Sequence, residues 1–382
     1  MKFKKLLVLS FALATTLFTN CSKSDDNSTT VNPTTEYKFD LGKSVNRAFK
    51  GSIVNEENLP LAGVAVKMSG KSTITDANGM FTLSNVPVKE RFAYLTADKA
   101  GYLSGSRTLM THESLNTLKI MLVSPTIFTI QSGVTSSVIV GNTTVKFDGA
   151  FSTENGQPYT GAVKVLTSDM PANDPYVFDK MPGSLFAIDA QGQYKGLETF
   201  GMIDVELKGT NNQKLQLTSG HKAEVSMNIT SQAQLERAPQ TMPMWWFDEV
   251  AGLWREEGFS TKVGNKYVGN VSHFTKWNND WAYPVASLTV IATNYDGTVA
   301  QGVRCEIFRP SVTAPPDHWN VPLIALGVTG ANGTLTAGVP YNEIFVFRAY
   351  NTDGVIVKEQ TFEASQLASR TVYVVIPVNN RP

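Results

Sequence analysis

Short runs of alternating apolar and polar residues recur along nearly the whole chain of 382 residues. Examples are GVAVKM, TVKFDG, AVKVLT, MIDVELKG, AEVSMNI, SLTVIAT and TVYVVIPV, separated by stretches rich in Gly, Asn, Asp and Pro. Such alternation places successive side chains on opposite faces of a strand, and the spacing typical of an amphipathic helix is nearly absent. The pattern predicts an all-β protein, and a chain of this length requires two or three separate cores.

The N-terminus has the features of a targeting signal. Lys2, Lys4 and Lys5 precede the apolar stretch 6–18, which is shorter than the roughly 20 residues needed to span a bilayer. Cys21 follows where cleavage is expected. These features resemble a bacterial lipoprotein signal with its lipobox, which implies that residues 1–20 are a signal peptide and that Cys21 carries the acyl chains of a membrane anchor.

Residues 21–46 are rich in Ser, Thr, Asn and Asp and contain almost no apolar runs, so we expect a disordered, lipidated tether. Within it, SKSDD at residues 22–26 resembles the acidic export signal of Bacteroidota surface lipoproteins. The resemblance implies a protein of the outer membrane, anchored by lipid and exposed on the cell surface.

Composition limits the partners of the chain. The 33 basic residues balance the 33 acidic residues, and removal of residues 1–20 leaves a slightly acidic chain. A nucleic-acid partner would require a clustered basic face, so none is predicted. With Cys21 lipidated, Cys305 has no partner for an intramolecular disulfide, and its alternating position in GVRCEIF predicts a small core residue.

Residues 47–123 form the clearest unit, with strands separated by tight turns such as TDANGMF. The unit resembles the carboxypeptidase regulatory-like domain, a small seven-stranded sandwich. The matching residues are Gly51, Pro60, Leu61, Gly63, Val64, Val66, Thr75, Asp76, Gly79, Phe81, Val86, Pro87, Gly101 and Tyr102. This module occurs beside many different functions, so the resemblance implies a fold and no reaction.

Residues 285–382 repeat parts of the first unit and are interpreted as a second sandwich of this type. Ala-Asn-Gly recurs at 77–79 and 331–333, and Val-Pro recurs at 86–87 and 339–340. The second copy carries a long insert, which contains His318 and Trp319. This insert is a candidate binding loop, although Trp319 could equally fold back over the sandwich edge.

Residues 124–284 lie between the two copies and contain the landmark TMPMWWFDEVAGLWREEGFSTKVGNKYVGNVSHFTKWNNDW. The segment resembles the ectodomain motif of the astroprincin and cartilage intermediate layer families, which are extracellular proteins of structural or adhesion type. The corresponding residues are Pro243, Trp245, Phe247, Asp248, Gly252, Trp254, Gly258, Tyr267, Val271, His273, Phe274, Trp277, Asn278 and Asp280.

Five of the six tryptophans fall within residues 245–281. They could form an aromatic platform for a ligand, but a sandwich core is favoured. Alternation places Trp245 and Phe247 on one face of a strand and Trp246 on the other, and Trp254 could pair across the hairpin. Trp246 is therefore the candidate for exposure and ligand binding.

No catalytic constellation is recognised in the sequence. His221 and Glu224 have the spacing of two zinc ligands, but no third ligand is evident, and a strand would place them on opposite faces. His273 is expected to orient a turn. We therefore predict no metal and no cofactor.

Together these patterns predict three tandem β-sandwich units on a lipidated tether, with no enzymatic activity. The predicted role is binding or adhesion to an unidentified glycan or protein, or service as an accessory of an envelope complex. The alternative is an accessory hydrolase for glycans or peptides, with a cryptic site in residues 124–284.

Overall fold

The computed structural model describes residues 39–111, 115–309 and 323–377, and Lys38–Pro382 form one compact unit. The predicted all-β class is confirmed, because the regular secondary structure of the described residues is β-strand apart from two short helices. Within these ranges no helix is both long enough and apolar enough to cross a membrane.

The N-terminal part is a sandwich of two sheets. Its strands are β1 (Ser44–Val54), β2 (Ala65–Met68), β3 (Lys71–Ile74), β4 (Met80–Lys89), β5 (Ala93–Asp98), β6 (Gly105–Leu109) and β7 (Leu115–Met121). One sheet has the order β4-β1-β7, with β1 parallel to β7, and the other has the order β3-β2-β5-β6. The inward-facing residues of both sheets form one apolar core, which includes Phe49, Val66 and Leu95.

The central part has a larger sheet system and two short helices. Its strands are β8 (Thr126–Gln131), β9 (Ser136–Val140), β10 (Thr143–Phe147), β11 (Phe151–Thr153), β12 (Ala162–Met170), β13 (Phe186–Ile188), β14 (Tyr194–Lys208), β15 (Lys214–Leu217), β16 (Ala223–Asn228), β17 (Thr241–Asp248), β18 (Leu253–Val263), β19 (Lys266–Val271) and β20 (Lys276–Asn294). The helices are α1 (Val177–Lys180) and α2 (Gln232–Arg237). Strand β14 connects this system, because it pairs with four other strands, β12, β13, β15 and β20.

The C-terminal part repeats the topology of the N-terminal sandwich. Its further strands are β21 (Arg304–Phe308), β22 (Leu323–Val328), β23 (Thr334–Pro340), β24 (Phe345–Tyr350), β25 (Ile356–Phe362) and β26 (Ser369–Ile376). Strand β20 pairs with β23 and, in parallel, with β26, while the second sheet has the order β22-β21-β24-β25. Strand β20 thus corresponds to β1, β23 to β4 and β26 to β7. The sheet β22-β21-β24-β25 corresponds to the sheet β3-β2-β5-β6.

The same backbone turn closes both sandwiches. Gly79 and Gly333 have positive φ angles of 69° and 72°. A Cβ atom at Gly79 would collide with the carbonyl oxygen of Ile53, and one at Gly333 with that of Ala292. Each glycine carbonyl accepts a hydrogen bond of 2.8 Å from the amide of that same residue, Ile53 or Ala292. Glycine is therefore required twice by conformation and close approach.

Strand β20 belongs to two parts of the molecule. Its first half pairs with β14 and β17, and its second half pairs with β23 and β26. The boundary expected between residues 284 and 285 falls inside this strand, so no loop separates the central part from the C-terminal sandwich. The buried Glu198 on β14 adds ion pairs to Arg237 and to Arg309, the residue after β21.

Candidate functional site

The tryptophan-rich hairpin β17–β18 is mainly part of the core. Trp245, Trp254 and Trp277 are fully buried. Each indole N–H donates to a backbone carbonyl, at 3.1 Å to Asp280, 2.9 Å to Ser184 and 3.0 Å to His273, respectively. Because buried indoles need a hydrogen-bond partner, these contacts explain how three large aromatic side chains fit inside a sheet protein.

Trp246 differs from its neighbours because it projects from the opposite face of β17. It is half-buried, packs in part against the core of the central sheet, and meets the His273 ring edge-on at 5.1 Å between centroids. On the buried face of the same hairpin, Phe247 lies directly opposite Trp254. Trp246 thus remains the candidate contact residue of this hairpin.

His273 lies beside Ser272 and Glu257, and these are the three residue types of a catalytic triad. The Ser272 hydroxyl donates to Glu257 Oε1 at 2.7 Å and lies 3.2 Å from His273 Nδ1. In a nucleophilic triad the histidine stands between the hydroxyl and the carboxylate, whereas here the serine stands between the other two. Burial lowers the pKa of His273, opposed by the Glu257 charge, so the ring is neutral near pH 7. This arrangement orients a turn and does not activate a nucleophile.

His221 and Glu224 do not share a ligand site. His221 precedes β16 instead of lying within it, and its Nδ1 contacts Asp148 at 2.6 Å. Glu224, inside the strand, accepts from Lys146 at 2.7 Å. No group of three potential metal ligands occurs among the residues that the structure describes.

Three of the predicted site residues cannot be placed. Cys21, His318 and Trp319 all lie outside the described ranges, so their predicted roles stay predictions. Cys305, in contrast, is buried on β21, as expected for a small core residue, and burial raises the pKa of its thiol to about 12.

A cleft of about 610 Å³ lies where the three parts of the molecule meet. We call it the central cleft. Strands β6 and β7 form one wall, the segment around α1 with Phe186 forms a second, and β22 and β23 form the third. The lining is mainly apolar, and its exposed members include Leu326 and Tyr176. Ligand pockets in proteins have this size and character.

Charge in the central cleft is biased toward cations. Arg91, Arg107, Lys119 and Arg304 line it, and Asp179 is the one acid among the described lining residues. Arg91 and Arg304 each pair with an acid outside the lining, Asp40 and Glu306. Lys119 pairs with Asp179 at 3.0 Å, whereas the Arg107 guanidinium donates to the backbone carbonyls of Gly183, Lys119 and Asp179. Burial lowers the pKa of Arg107 to about 10, which still leaves it cationic at neutral pH. The cleft therefore favours an anionic group beside an apolar body.

Sequence reasoning missed the central cleft and the buried charges near the hairpin. Asp204, Asn278 and Asp280 are almost completely buried, and burial raises the pKa of Asp280 to about 8. Asn278 donates to the Asp280 carboxylate at 2.6 Å. One signal was available: Asp204 in GMIDVEL and the polar run of HFTKWNND place ionisable residues within otherwise apolar strands.

Comparison with known proteins gives weak sequence similarity to one group, and no family model matches the chain. A segment of 118 residues is 27% identical to cartilage intermediate layer protein 2 of Homo sapiens, covering 31% of this chain and 10% of that protein. Cartilage intermediate layer protein 1 of Sus scrofa is 28% identical over 109 residues, which cover 28% of this chain and 18% of that protein. The chain thus matches only a small part of these relatives. The similarity supports the resemblance of the central region to them.

Two solved structures align with most of the chain. The Bacillus anthracis TIE protein has a TM-score of 0.19 and 12% identity, covering 87% of this chain and 50% of that one. The full-length major pilin SpaD of Corynebacterium diphtheriae has a TM-score of 0.19 and 10% identity, covering 87% and 98%. Likenesses at TM-scores this low carry no argument about architecture or activity.

Proposed function

We propose that this protein is a non-catalytic lipoprotein, anchored through Cys21 to the outer membrane and exposed on the cell surface, that binds a ligand. The central cleft is the observation that carries the binding role, because it combines an apolar lining with Arg107, a cation whose hydrogen bonds go to backbone carbonyls. The arrangement of Ser272, His273 and Glu257 gives no support to the alternative of a hydrolase.

The ligand that best fits the central cleft has an apolar body and one acidic group. Arg107 supplies a cation whose hydrogen bonds go to backbone carbonyls, so its charge is only partly offset, by Asp179. Asp179 is itself paired with Lys119. Charge complementarity therefore selects an anion over a neutral apolar molecule of the same size. Trp246, His318 and Trp319 remain candidates for a separate contact with a glycan or protein.

The binding role can be tested with an anionic naphthalene sulfonate dye as the probe for the purified full chain. Leu326 is 40% exposed in the cleft, and Val250 is 94% exposed on the β17–β18 turn. Leu326→Glu should weaken dye binding about tenfold, because it adds a like charge beside the anion, whereas Val250→Glu should not change it. Leu326→Gln separates the loss of apolar surface from the added charge.

Two results would overturn the proposal for the cleft. One is equal dye affinity in wild type, Leu326→Glu and Val250→Glu. The other is equal affinity for the anionic dye and an uncharged dye of similar shape, since that would remove the role of the cationic lining.

A further inference from the structure

Lys276 is an almost fully buried lysine at the start of β20. Its side chain is 4% exposed, and it lies directly opposite Asp204 of β14 in the register of the two strands. The Lys276 Nζ atom is 3.5 Å from Asp204 Oδ2 and 2.5 Å from Glu249 Oε1. A buried amine is thus held between two carboxylates that differ in exposure, since Asp204 is 5% exposed and Glu249 is 43% exposed.

The Asp204 carboxyl group is incompletely satisfied. Its Oδ1 atom is buried and has no hydrogen-bond partner. Burial raises the pKa of Asp204 to about 6, although the charge of Lys276 opposes this effect. A buried carboxylate with one oxygen lacking a hydrogen bond is costly even beside an ammonium group, so a reaction that removes its charge is favoured there.

The two carboxylates have different electrostatic states. The Lys276 charge outweighs burial and keeps the pKa of Glu249 below its ordinary value, so Glu249 stays ionised. Burial lowers the pKa of Lys276, but the charges of Asp204 and Glu249 outweigh it and raise that pKa. Near pH 7 the cluster is therefore an ammonium between carboxylates, and a neutral amine requires transfer of a proton from Lys276 to one of them.

A small void beside the cluster is lined by both apolar and polar residues, the polar ones including Ser168 and Lys180. Leu103, Met121, Leu122 and Met170 line a cavity of about 10 Å³ that also touches Asp204 and Lys276. That volume is close to the minimum for one water molecule, which needs roughly 10–15 Å³ of such space. A water released at the cluster would find room there.

We propose that Lys276 and Asp204 join in an intramolecular isopeptide bond, with Glu249 as the catalytic proton carrier. Proton transfer from the Lys276 ammonium to the Asp204 carboxylate gives a neutral amine and a neutral acid. The Nζ lone pair then bonds to Asp204 Cγ. Glu249 accepts the second Nζ proton and returns it to the departing hydroxyl. The products are one amide and one water, and Glu249 ends as the carboxylate it was at the start.

The bond removes two buried charges and links the two longest strands of the molecule, β14 and β20. It closes a loop of chain that contains the tryptophan-rich hairpin. A covalent link across this loop restricts the unfolded chain in the way a disulfide does. No oxidant is needed, so the link forms without a second cysteine.

Peptide mass spectrometry of the purified full chain tests the proposal without any substitution. After denaturation and digestion, we expect one cross-linked peptide pair that contains Lys276 and Asp204 and weighs one water less than the two linear peptides together. Protease cleavage after Lys276 should be lost. Recovery of only the two linear peptides would overturn the proposal and leave the cluster as a buried ion pair.

Glu249→Gln tests the proton carrier. Glu249 is partly exposed, so the substitution should leave the fold intact while formation of the link slows by about 100-fold. Glu154→Gln, at an exposed position on a turn of the central part, is the matched control and should form the link as fast as wild type. If the link forms at the same rate in Glu249→Gln and Glu154→Gln, Glu249 takes no part in the reaction. Lys276→Arg must abolish the link if the Lys276 amine is the nucleophile.

Discussion

Thr75 and Thr329 occupy the same position in the two sandwiches and make the same pair of hydrogen bonds. The Thr75 hydroxyl accepts from the Val64 amide at 2.9 Å and donates to the Leu61 carbonyl at 2.6 Å. The Thr329 hydroxyl accepts from the Val303 amide at 3.0 Å and donates to the Ala300 carbonyl at 2.8 Å. Both side chains are buried, so each threonine holds the turn before a central strand.

Replacing either threonine with valine should therefore destabilise its sandwich by about 1–3 kcal/mol, because a buried amide and a buried carbonyl lose their partner. Thr371→Val, at an exposed position on β26, is the matched control and should change little. Urea unfolding of the three variants measures the effect. Equal stability of Thr75→Val and Thr371→Val would contradict it.

Adjacent tryptophans on β17 should differ in their contribution to stability. Trp245→Ala should cost about 3–5 kcal/mol, since it empties a fully buried site and leaves the Asp280 carbonyl without its indole donor. Trp246→Ala should cost clearly less because the side chain is half-buried. Thermal unfolding compares the two, and a similar loss in both would show that Trp246 belongs to the core.

The buried Glu198 should contribute strongly to stability because it pairs with Arg237 and Arg309, of which Arg309 also pairs with Glu343. Glu198→Gln leaves Arg237 and Arg309 without their shared carboxylate, and we expect a loss of about 3–5 kcal/mol. The exposed Glu154→Gln serves as the control. The midpoints of denaturant unfolding measure this loss of stability. If Glu198→Gln unfolds at the wild-type midpoint, the predicted contribution of Glu198 is wrong.

Stability should fall as the pH rises from 6 to 8. Burial raises the pKa of Asp280 from 3.8 to about 8, so the folded protein keeps a proton there that the unfolded chain has lost. A proton that only the folded state holds stabilises the fold, and this contribution is lost as the pH rises toward the pKa of Asp280. Asp280→Asn should remove the decline between pH 6 and 8, as measured by urea unfolding at both values. An unchanged slope would show that Asp280 is already ionised when folded.

Cys21→Ser should release the chain from membranes. The acyl anchor implied by the lipobox supplies the affinity, at about 0.8 kcal/mol for each buried CH₂ group. Detergent-phase partitioning of wild type and variant measures the change. If the variant still enters the detergent phase, Cys21 is not the anchor.

The sequence predicted the strands well because each depends on local alternation. The runs that contain Val66, Val145 and Val290 became β2, β10 and β20, each with its apolar face buried. The same period of two predicted that Trp245 and Trp246 lie on opposite faces of their strand. It also predicted that Trp254 could pair across the hairpin, where it lies opposite Phe247.

Features that depend on how sheets meet were not predictable in this way. The unit boundary expected between residues 284 and 285 lies inside β20, where Pro284 pairs opposite Lys195. The central cleft and the cluster of Lys276 with Asp204 combine residues that are far apart in the chain. Their proximity follows from the register of long strands and from the packing of three sheets, which no short stretch of sequence encodes.

Strand β20 also has a mechanical consequence. Its 19 residues, at about 3.3 Å each, correspond to an extended length of roughly 60 Å. The first half of the strand is hydrogen-bonded into the central sheet and the second half into the C-terminal sandwich. No loop separates the two parts, because the pairing passes directly from Pro284, opposite Lys195 of β14, to Val285, opposite Pro340 of β23. A pull on the C-terminal sandwich is therefore carried as shear along the ladder between β14 and β20, where many hydrogen bonds must fail together.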